Sequence, residues 1–351
     1  MKNIKIYARS LIFLIGLAVI FIGIDFLCAR DGYTDYLLRN VNSDTQDYDT
    51  VIIGASHTKV STNPVLLDQN ADTCSINMAI SGETVKDSFY LLEETCRNND
   101  VKTVILDIDY QYYFNPPREG FYSESFFESQ IRWSSPVKWQ YTLENLQYLD
   151  VRNTFTRGVV CSYEPAEICV NVKQKLSKSY KEADIASLDS PAGTYIDRGY
   201  FYINPVNALG GQDVIDRWKD RSNECVRGYP LRYLNRIIKY CRDNDIDLIC
   251  VTSPITPSSI KKLHMENVHS TINAILEKNN VPYYDFNMTR LDILPREDED
   301  FIDYEGHMNG EFAKEYSALL GQIIKKHNND IDVEKYFYSS YDQLYENLME
   351  N

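Results

Sequence analysis

A three-layer α/β domain built on a parallel sheet is the fold this sequence predicts. Three observations point to it. Short β-branched apolar runs recur, each closed by Gly, Asn, Asp or Pro. Amphipathic segments of helical period alternate with them. The runs are apolar at nearly every position, as in strands covered on both faces. Strands alternating with helices give a parallel sheet with helices on either side.

The elements follow in order. "TVIIGAS" (50–56) reads as a buried strand ended by Gly54. "CSINMAI" (74–80) is a second strand. "GETVKDSFYLLEETCRNND" (82–100) is a helix, with Val85, Phe89, Leu92 and Cys96 at helical spacing. "VKTVILDIDY" (101–110) is a third strand. The same grammar returns late: helix "PLRYLNRIIKYCRDND" (230–245), strand "IDLICVTSP" (246–254), helix "HSTINAILEKNN" (269–280), strand "VPYYDFN" (281–287) and helix "NGEFAKEYSALLGQIIKKH" (309–327). Between the two halves, residues 111–229 lose the alternation and mix Pro, Trp and Tyr with helical segments. They read as a mostly helical insertion. Residues 329–351 form an acidic, tyrosine-rich tail, expected as a short helix or an unstructured end.

The N-terminus has a different character. Lys2, Lys5 and Arg9 precede "LIFLIGLAVIFIGIDFLCA" (11–29), close to the ~20 residues that cross a bilayer. Its one charge, Asp25, lies near the far end. Basic residues before the span place the N-terminus in the cytoplasm and the rest of the chain outside. A small-x-small cleavage pattern is missing around Cys28, so an uncleaved anchor is expected rather than a signal peptide. The expected organisation is therefore an anchor (1–30), a polar stalk with one short amphipathic stretch (31–48), the first half of the domain (49–110), the insertion (111–229), the second half (230–328) and the tail (329–351).

Of the 351 residues, 36 are basic and 51 acidic, a net charge of −15 that argues against nucleic-acid partners. The 8 cysteines show no CxxC pair and no metal-ligand rhythm with His, so a zinc site is not expected, and nothing in the chain implies another metal or an organic cofactor. Cys161 and Cys169 are candidates for a small disulfide loop in an oxidising compartment.

Chemistry must then come from few residues. Ser56 ends the first strand, where open parallel sheets bind ligands. A serine there is either a small residue in a tight turn or a nucleophile. A nucleophile needs a base, usually a histidine oriented by a carboxylate. Only five histidines are present. His264 and His269 lie near a late helix without a supporting pattern, and His327 ends a helix. His57 neighbours Ser56 and is expected to point elsewhere. His307 remains, in the loop "DEDFIDYEGHMNGEF", with Asp303 four residues before it and Glu305 two before it. Asp107 and Asp109 read as strand-end acids.

Early "GASHT", then "INMAISGET", then late "DYEGHMN" together resemble the SGNH (GDSL-like) hydrolase superfamily. The layout is similar to its membrane-anchored branch, which contains the D-alanyl-lipoteichoic acid biosynthesis protein and the alginate O-acetylation proteins. The likeness covers roughly residues 50–110 and 231–326. It implies a flavodoxin-like SGNH fold, with Ser56 as nucleophile and His307 as base. It also implies that Gly82 N–H, with Ser56 N–H, holds the oxyanion. The family's aspartate stands three residues before the histidine, where this chain has Tyr304. Asp303 must reach across one extra residue, with Glu305 in reserve. The family's third-block Gly-x-Asn-Asp is absent, and Asn77 is the substitute considered for an oxyanion donor. The resemblance further implies acyl-ester chemistry on a cell-envelope polysaccharide or teichoic acid, as esterase or O-acyltransferase, beside a multi-span membrane O-acyltransferase. The alternative is a non-catalytic assembly or polymer-binding protein on the same scaffold.

Overall fold

A computed structural model describes residues 2–43, 46–157, 165–188, 190–218 and 225–350. It divides into two compact units. One comprises Val41–Pro117 and Ile185–Asn351; the other comprises Met1–Asn40 and Arg118–Asp184.

The first unit holds the sheet. Its strands are β1 (Thr50–Ile53), β2 (Ser75–Asn77), β3 (Thr103–Asp107), β4 (Gly193–Ile196), β5 (Tyr200–Ile203), β6 (Asp247–Thr252) and β7 (Tyr283–Asp285). β4 and β5 form a separate antiparallel hairpin, while the main sheet runs β2-β1-β3-β6-β7, parallel throughout. The unbroken apolar runs behave as predicted, since every residue of β1 and β3 is buried. In register, Ile52, Ile105 and Ile249 form one row across three strands. That row shares a core with Phe312, Tyr316, Leu320 and Ile324 of the helix Gly310–His327. This helix packs on Pro64–Ala71, while Gly228–Asp243 pairs with Val85–Thr95. After β1 the chain turns to β2 on one side and then to β3 on the other. The crevice between β1 and β3 at their carboxyl ends is the topological switch point, where such sheets bind ligands.

Expected and observed organisation differ in two places. In residues 31–48, expected as a polar stalk, the amphipathic stretch is a helix with buried side chains. The helix Tyr33–Asn40 buries Tyr36, Leu37 and Leu38, and Tyr48 is buried too, its N–H donating to Asn99 Oδ1. The insertion is not one block: 118–184 joins the N-terminal helix, whereas 111–117 and 185–229 belong with the sheet. The hairpin β4–β5 explains part of this division, because Tyr200 enters the core shared with Ile52 and Ile249. Of the two expectations for the tail, the structure has the short helix, at Tyr341–Glu350; Leu344 is fully buried and Tyr341 OH donates to Asp285 Oδ2 at 2.6 Å.

The second unit is helical. Its first helix, Lys2–Cys28, is long and apolar enough to cross a membrane from Ile4 to Cys28. Shorter helices at Tyr122–Gln130, Pro136–Glu144, Arg152–Phe155 and Ile168–Leu176 accompany it. Cys161 lies outside the described residues, and Cys169 is an exposed free thiol.

Candidate active site

The site begins where β1 ends. Gly54 permits a close approach there: a Cβ on it would lie 2.1 Å from Thr58 Oγ1 and 3.1 Å from Asp107 Cβ. Ala55 leaves the strand at φ −100°, ψ −149°, and Ser56 starts the short helix Ser56–Ser61. Ser56 is half-buried.

The late loop meets it. His307 Nε2 lies 2.8 Å from Ser56 Oγ, and His307 Nδ1 lies 2.7 Å from Asp303 Oδ2. Asp303 therefore spans the extra residue. Its other oxygen, Oδ1, accepts from the backbone N–H groups of Glu305, Gly306 and His307 at 3.1, 3.0 and 3.1 Å. One carboxylate thus winds the loop around itself. Gly306 makes the winding feasible, at φ +112° and packed so tightly that a Cβ would fall 2.7 Å from Ile255. Two further ties hold the loop in place. Thr256 Oγ1, just past the end of β6, donates to the Asp303 carbonyl at 2.6 Å, and Ile302 N–H donates to the His307 carbonyl at 2.9 Å. Burial pushes the Asp303 carboxyl up. The hydrogen bond and charge of His307, then the charge of His57, overcome burial and hold it below the usual carboxylate value.

Glu305, the reserve carboxylate, does another job. Its Oε2 accepts from Gln111 Nε2 at 3.0 Å, and its backbone carbonyl accepts from Tyr110 OH at 3.2 Å. The His307 ring takes its partner from Asp303.

Asn77 requires a correction. Its Nδ2 donates to the Thr58 and Thr62 carbonyls, both at 2.8 Å, and its Oδ1 accepts from Ala79 N–H at 3.0 Å. The amide closes the end of the Ser56–Ser61 helix and is fully buried, so it has no donor left for an oxyanion. Gly82 lies in the turn after β2 at φ +79°. That turn is pinned by Glu83, whose N–H donates to the Ile80 carbonyl and whose Oε2 accepts from Ile80 N–H, each at 3.0 Å.

His57 does not point away. Its Nδ1 lies 2.6 Å from Asp109 Oδ2, and its Nε2 lies 3.1 Å from the Glu305 carbonyl. Its ring stacks on His307, with centroids 4.2 Å apart and planes 20° apart. A carbonyl only accepts, so Nε2 carries a proton, and the facing carboxylate favours a second proton on Nδ1. Burial opposes the charge. Asp109, by charge and hydrogen bond, with Asp303 and Asp107 behind it, outweighs burial and raises His57 to about 9. The signal that marks this pair is a histidine beside the candidate nucleophile and an aspartate just past the neighbouring strand.

Asp107 is structural. Its Oδ2 accepts from Thr58 Oγ1 at 3.0 Å and Ser253 Oγ at 2.5 Å, and its Oδ1 accepts from Ser253 N–H at 3.1 Å. Burial pushes its carboxyl up against these hydrogen bonds. The remaining histidines are engaged elsewhere: His264 with Glu266, His269 with Asp285, and His327 with Tyr284 OH. Among the described residues, no group of three His, Cys, Asp or Glu side chains is placed to hold a metal.

No family model matches the sequence, and no curated protein matches it either. Among solved structures, the chain is similar to a GDSL-like lipase from Bacteroides thetaiotaomicron, at 13% identity and a TM-score of 0.38, over 84% of this chain and 98% of that one. It is also similar to a putative acylhydrolase from Bacteroides fragilis, at 12% identity and a TM-score of 0.37, over 83% and 95%. Likeness of this degree leaves the chemistry of the site to be read from its own geometry.

Proposed function

We propose that the protein is a serine esterase or O-acyltransferase acting outside the cytoplasm on an acylated cell-envelope polymer. The observation that supports this most is the unbroken Ser56–His307–Asp303 chain of hydrogen bonds, at 2.8 and 2.7 Å. Ser56 Oγ attacks the ester carbonyl while His307 Nε2 takes its proton. Asp303 holds the Nδ1–H tautomer and steadies the imidazolium that forms. The N–H groups of Ser56 and Gly82 receive the oxyanion; one such donor is typically worth about 10²–10³ in rate. His307 then returns the proton to the leaving alcohol. Water completes an esterase cycle, and a polymer hydroxyl completes a transferase cycle. The envelope polysaccharide or teichoic acid, the neighbouring multi-span O-acyltransferase and the external location follow from the family resemblance and the apolar N-terminal helix.

One observation favours a second reading. Both Asn77 donors are spent, so the amide expected at the oxyanion is not on offer, as in a scaffold kept for polymer binding or assembly. A fluorophosphonate probe and a small acetyl ester separate the two, run beside Ser56→Ala and His307→Ala. Labelling that depends on both residues supports catalysis. An unlabelled wild type, or labelling that survives Ser56→Ala, leaves the binding reading. Acyl transfer to an added glycan hydroxyl in competition with water distinguishes transferase from esterase.

A further inference from the structure

The helical unit carries surface that the proposed chemistry does not use. Two of its segments are tied to the last turn of the N-terminal helix. In the first, Asp25 accepts from Thr156 Oγ1 at 3.0 Å and from Arg157 N–H at 3.2 Å. Phe155, beside Thr156, is 50% exposed and packs edge-on against Trp133 and obliquely against Trp139, with centroids 5.9 and 6.4 Å apart. The two tryptophans are 41% and 38% exposed. In the second, the helix Ile168–Leu176 lies along the same turn. Asn171 Nδ2 donates to the Leu27 and Cys28 carbonyls at 3.3 and 3.1 Å. Lys175 Nζ donates to the Phe26 and Ala29 carbonyls at 2.7 and 2.6 Å. A buried lysine thus caps a helix C-terminus, where positive charge is favoured. The other stripe of this short helix, Ile168, Val172 and Leu176 with Cys169, lines an apolar groove.

Depth decides what covers these faces. The apolar stretch Ile4–Cys28 has 25 residues. At 1.5 Å per residue it is about 37 Å long, more than the ~30 Å hydrocarbon core. Its last turn can therefore stand in the headgroup region. Both exposed apolar faces are pinned to that turn by named hydrogen bonds, so they stand at the same level. Trp and other aromatic side chains favour this level, and lysine stems with a charged tip suit it as well. Contiguous apolar surface of this kind is otherwise costly on a soluble face.

We propose that the helical unit is an interfacial collar: Trp133, Trp139, Phe155 and the Ile168–Val172–Leu176 stripe seat in the outer headgroup region of the bilayer that the N-terminal helix crosses. This rests on reading that helix as a membrane anchor. The occupant is lipid, because a bilayer surrounds the helix at this depth and covers both faces at once.

The test uses the full chain in phosphatidylcholine–phosphatidylglycerol vesicles containing lipids brominated either near the headgroup or deep in the acyl chain. Trp218→Phe leaves Trp133 and Trp139 as the only tryptophans. Shallow bromines should quench their emission at least about twofold, and more than deep bromines do, as expected for interfacial rings. A second protein carries Ile15→Trp with Trp133, Trp139 and Trp218 all changed to Phe, so its single indole reports the anchor alone. If the anchor indole is quenched while Trp133 and Trp139 are not, and iodide quenches them from water instead, the collar is wrong and the face is kept for a protein partner. If the anchor indole also escapes quenching, the anchor reading fails and the collar falls with it.

Discussion

The His307–Asp303 and His57–Asp109 pairs have nearly the same nitrogen–oxygen separation, 2.7 and 2.6 Å, and their rings stack 4.2 Å apart. They differ in what the far ring nitrogen meets. For His307 it is a hydroxyl, which can surrender a proton. For His57 it is the Glu305 carbonyl, which can only accept one. They differ in exposure too: His307 and Asp303 side chains are 17% and 15% exposed, against 6% and 3% for His57 and Asp109. The first pair is open to a reacting group; the second is sealed with its charge matched. Surroundings assign the duty, because the residue types are the same. His57 then serves as a fixed floor, holding the 303–307 loop through Glu305 and the His307 ring by stacking.

The largest effects test the open pair. Ser56→Ala and His307→Ala should each remove probe labelling and lower ester turnover by about 10⁴-fold or more, with the melting temperature nearly unchanged. Asp303→Asn should cost about 10³–10⁴ in kcat, because the wrong His307 tautomer is then favoured. The oxygen of the introduced amide can still accept the three backbone N–H groups, so the loop should survive. Turnover by Asp303→Asn within tenfold of wild type would remove Asp303 from the mechanism.

The sealed pair predicts a smaller kinetic effect and a distinct pH signature. His57→Gln should lower kcat by roughly 10-fold with little change in KM, since a misplaced base costs rate more than binding. Equal loss in kcat and KM, or none, would deny His57 a positioning role. The raised value of about 9, against the ordinary 6.5, gives the sign for stability. The folded state holds this proton more tightly, so the stabilisation is complete below about pH 6.5. It fades as pH rises through about 9, and it is on the order of 3 kcal/mol. Chemical denaturation from pH 6 to 10 should show this slope in the wild type, flattened in His57→Gln.

Much of the fold was legible because strands buried on both faces write themselves as unbroken β-branched runs; β1 and β3 are clear cases. Ser56, Asp303 and His307 were legible as residue types at strand ends and in a loop. Three features were not. Asn77 sits in a strand, and nothing local reveals that helix Ser56–Ser61 consumes its amide. Residues 31–48 read as a stalk with one short amphipathic stretch, yet nothing local shows that the helix Tyr33–Asn40 takes Tyr36, Leu37 and Leu38 out of solvent. His57 points away from Ser56 only if the two are neighbours on a strand, where side chains alternate. In the first turn of a helix they differ by only about 100°, so Ser56 and His57 both face the 303–307 loop.

The smallest expected effect concerns Glu305, the carboxylate that sequence spacing left as a rival to Asp303. Its side chain bonds Gln111, while its part in the site runs through the backbone carbonyl that His57 and Tyr110 share. A substitution that keeps the backbone should therefore leave both histidine pairs in place. Glu305→Gln retains an oxygen for Gln111 and should change kcat by less than about threefold. Glu305→Pro acts on the other half of the residue. It removes the N–H that donates to Asp303 Oδ1 and should cost far more than Glu305→Gln. Equal losses from the two variants would mean that the side chain, not the backbone, joins the open pair to the sealed one.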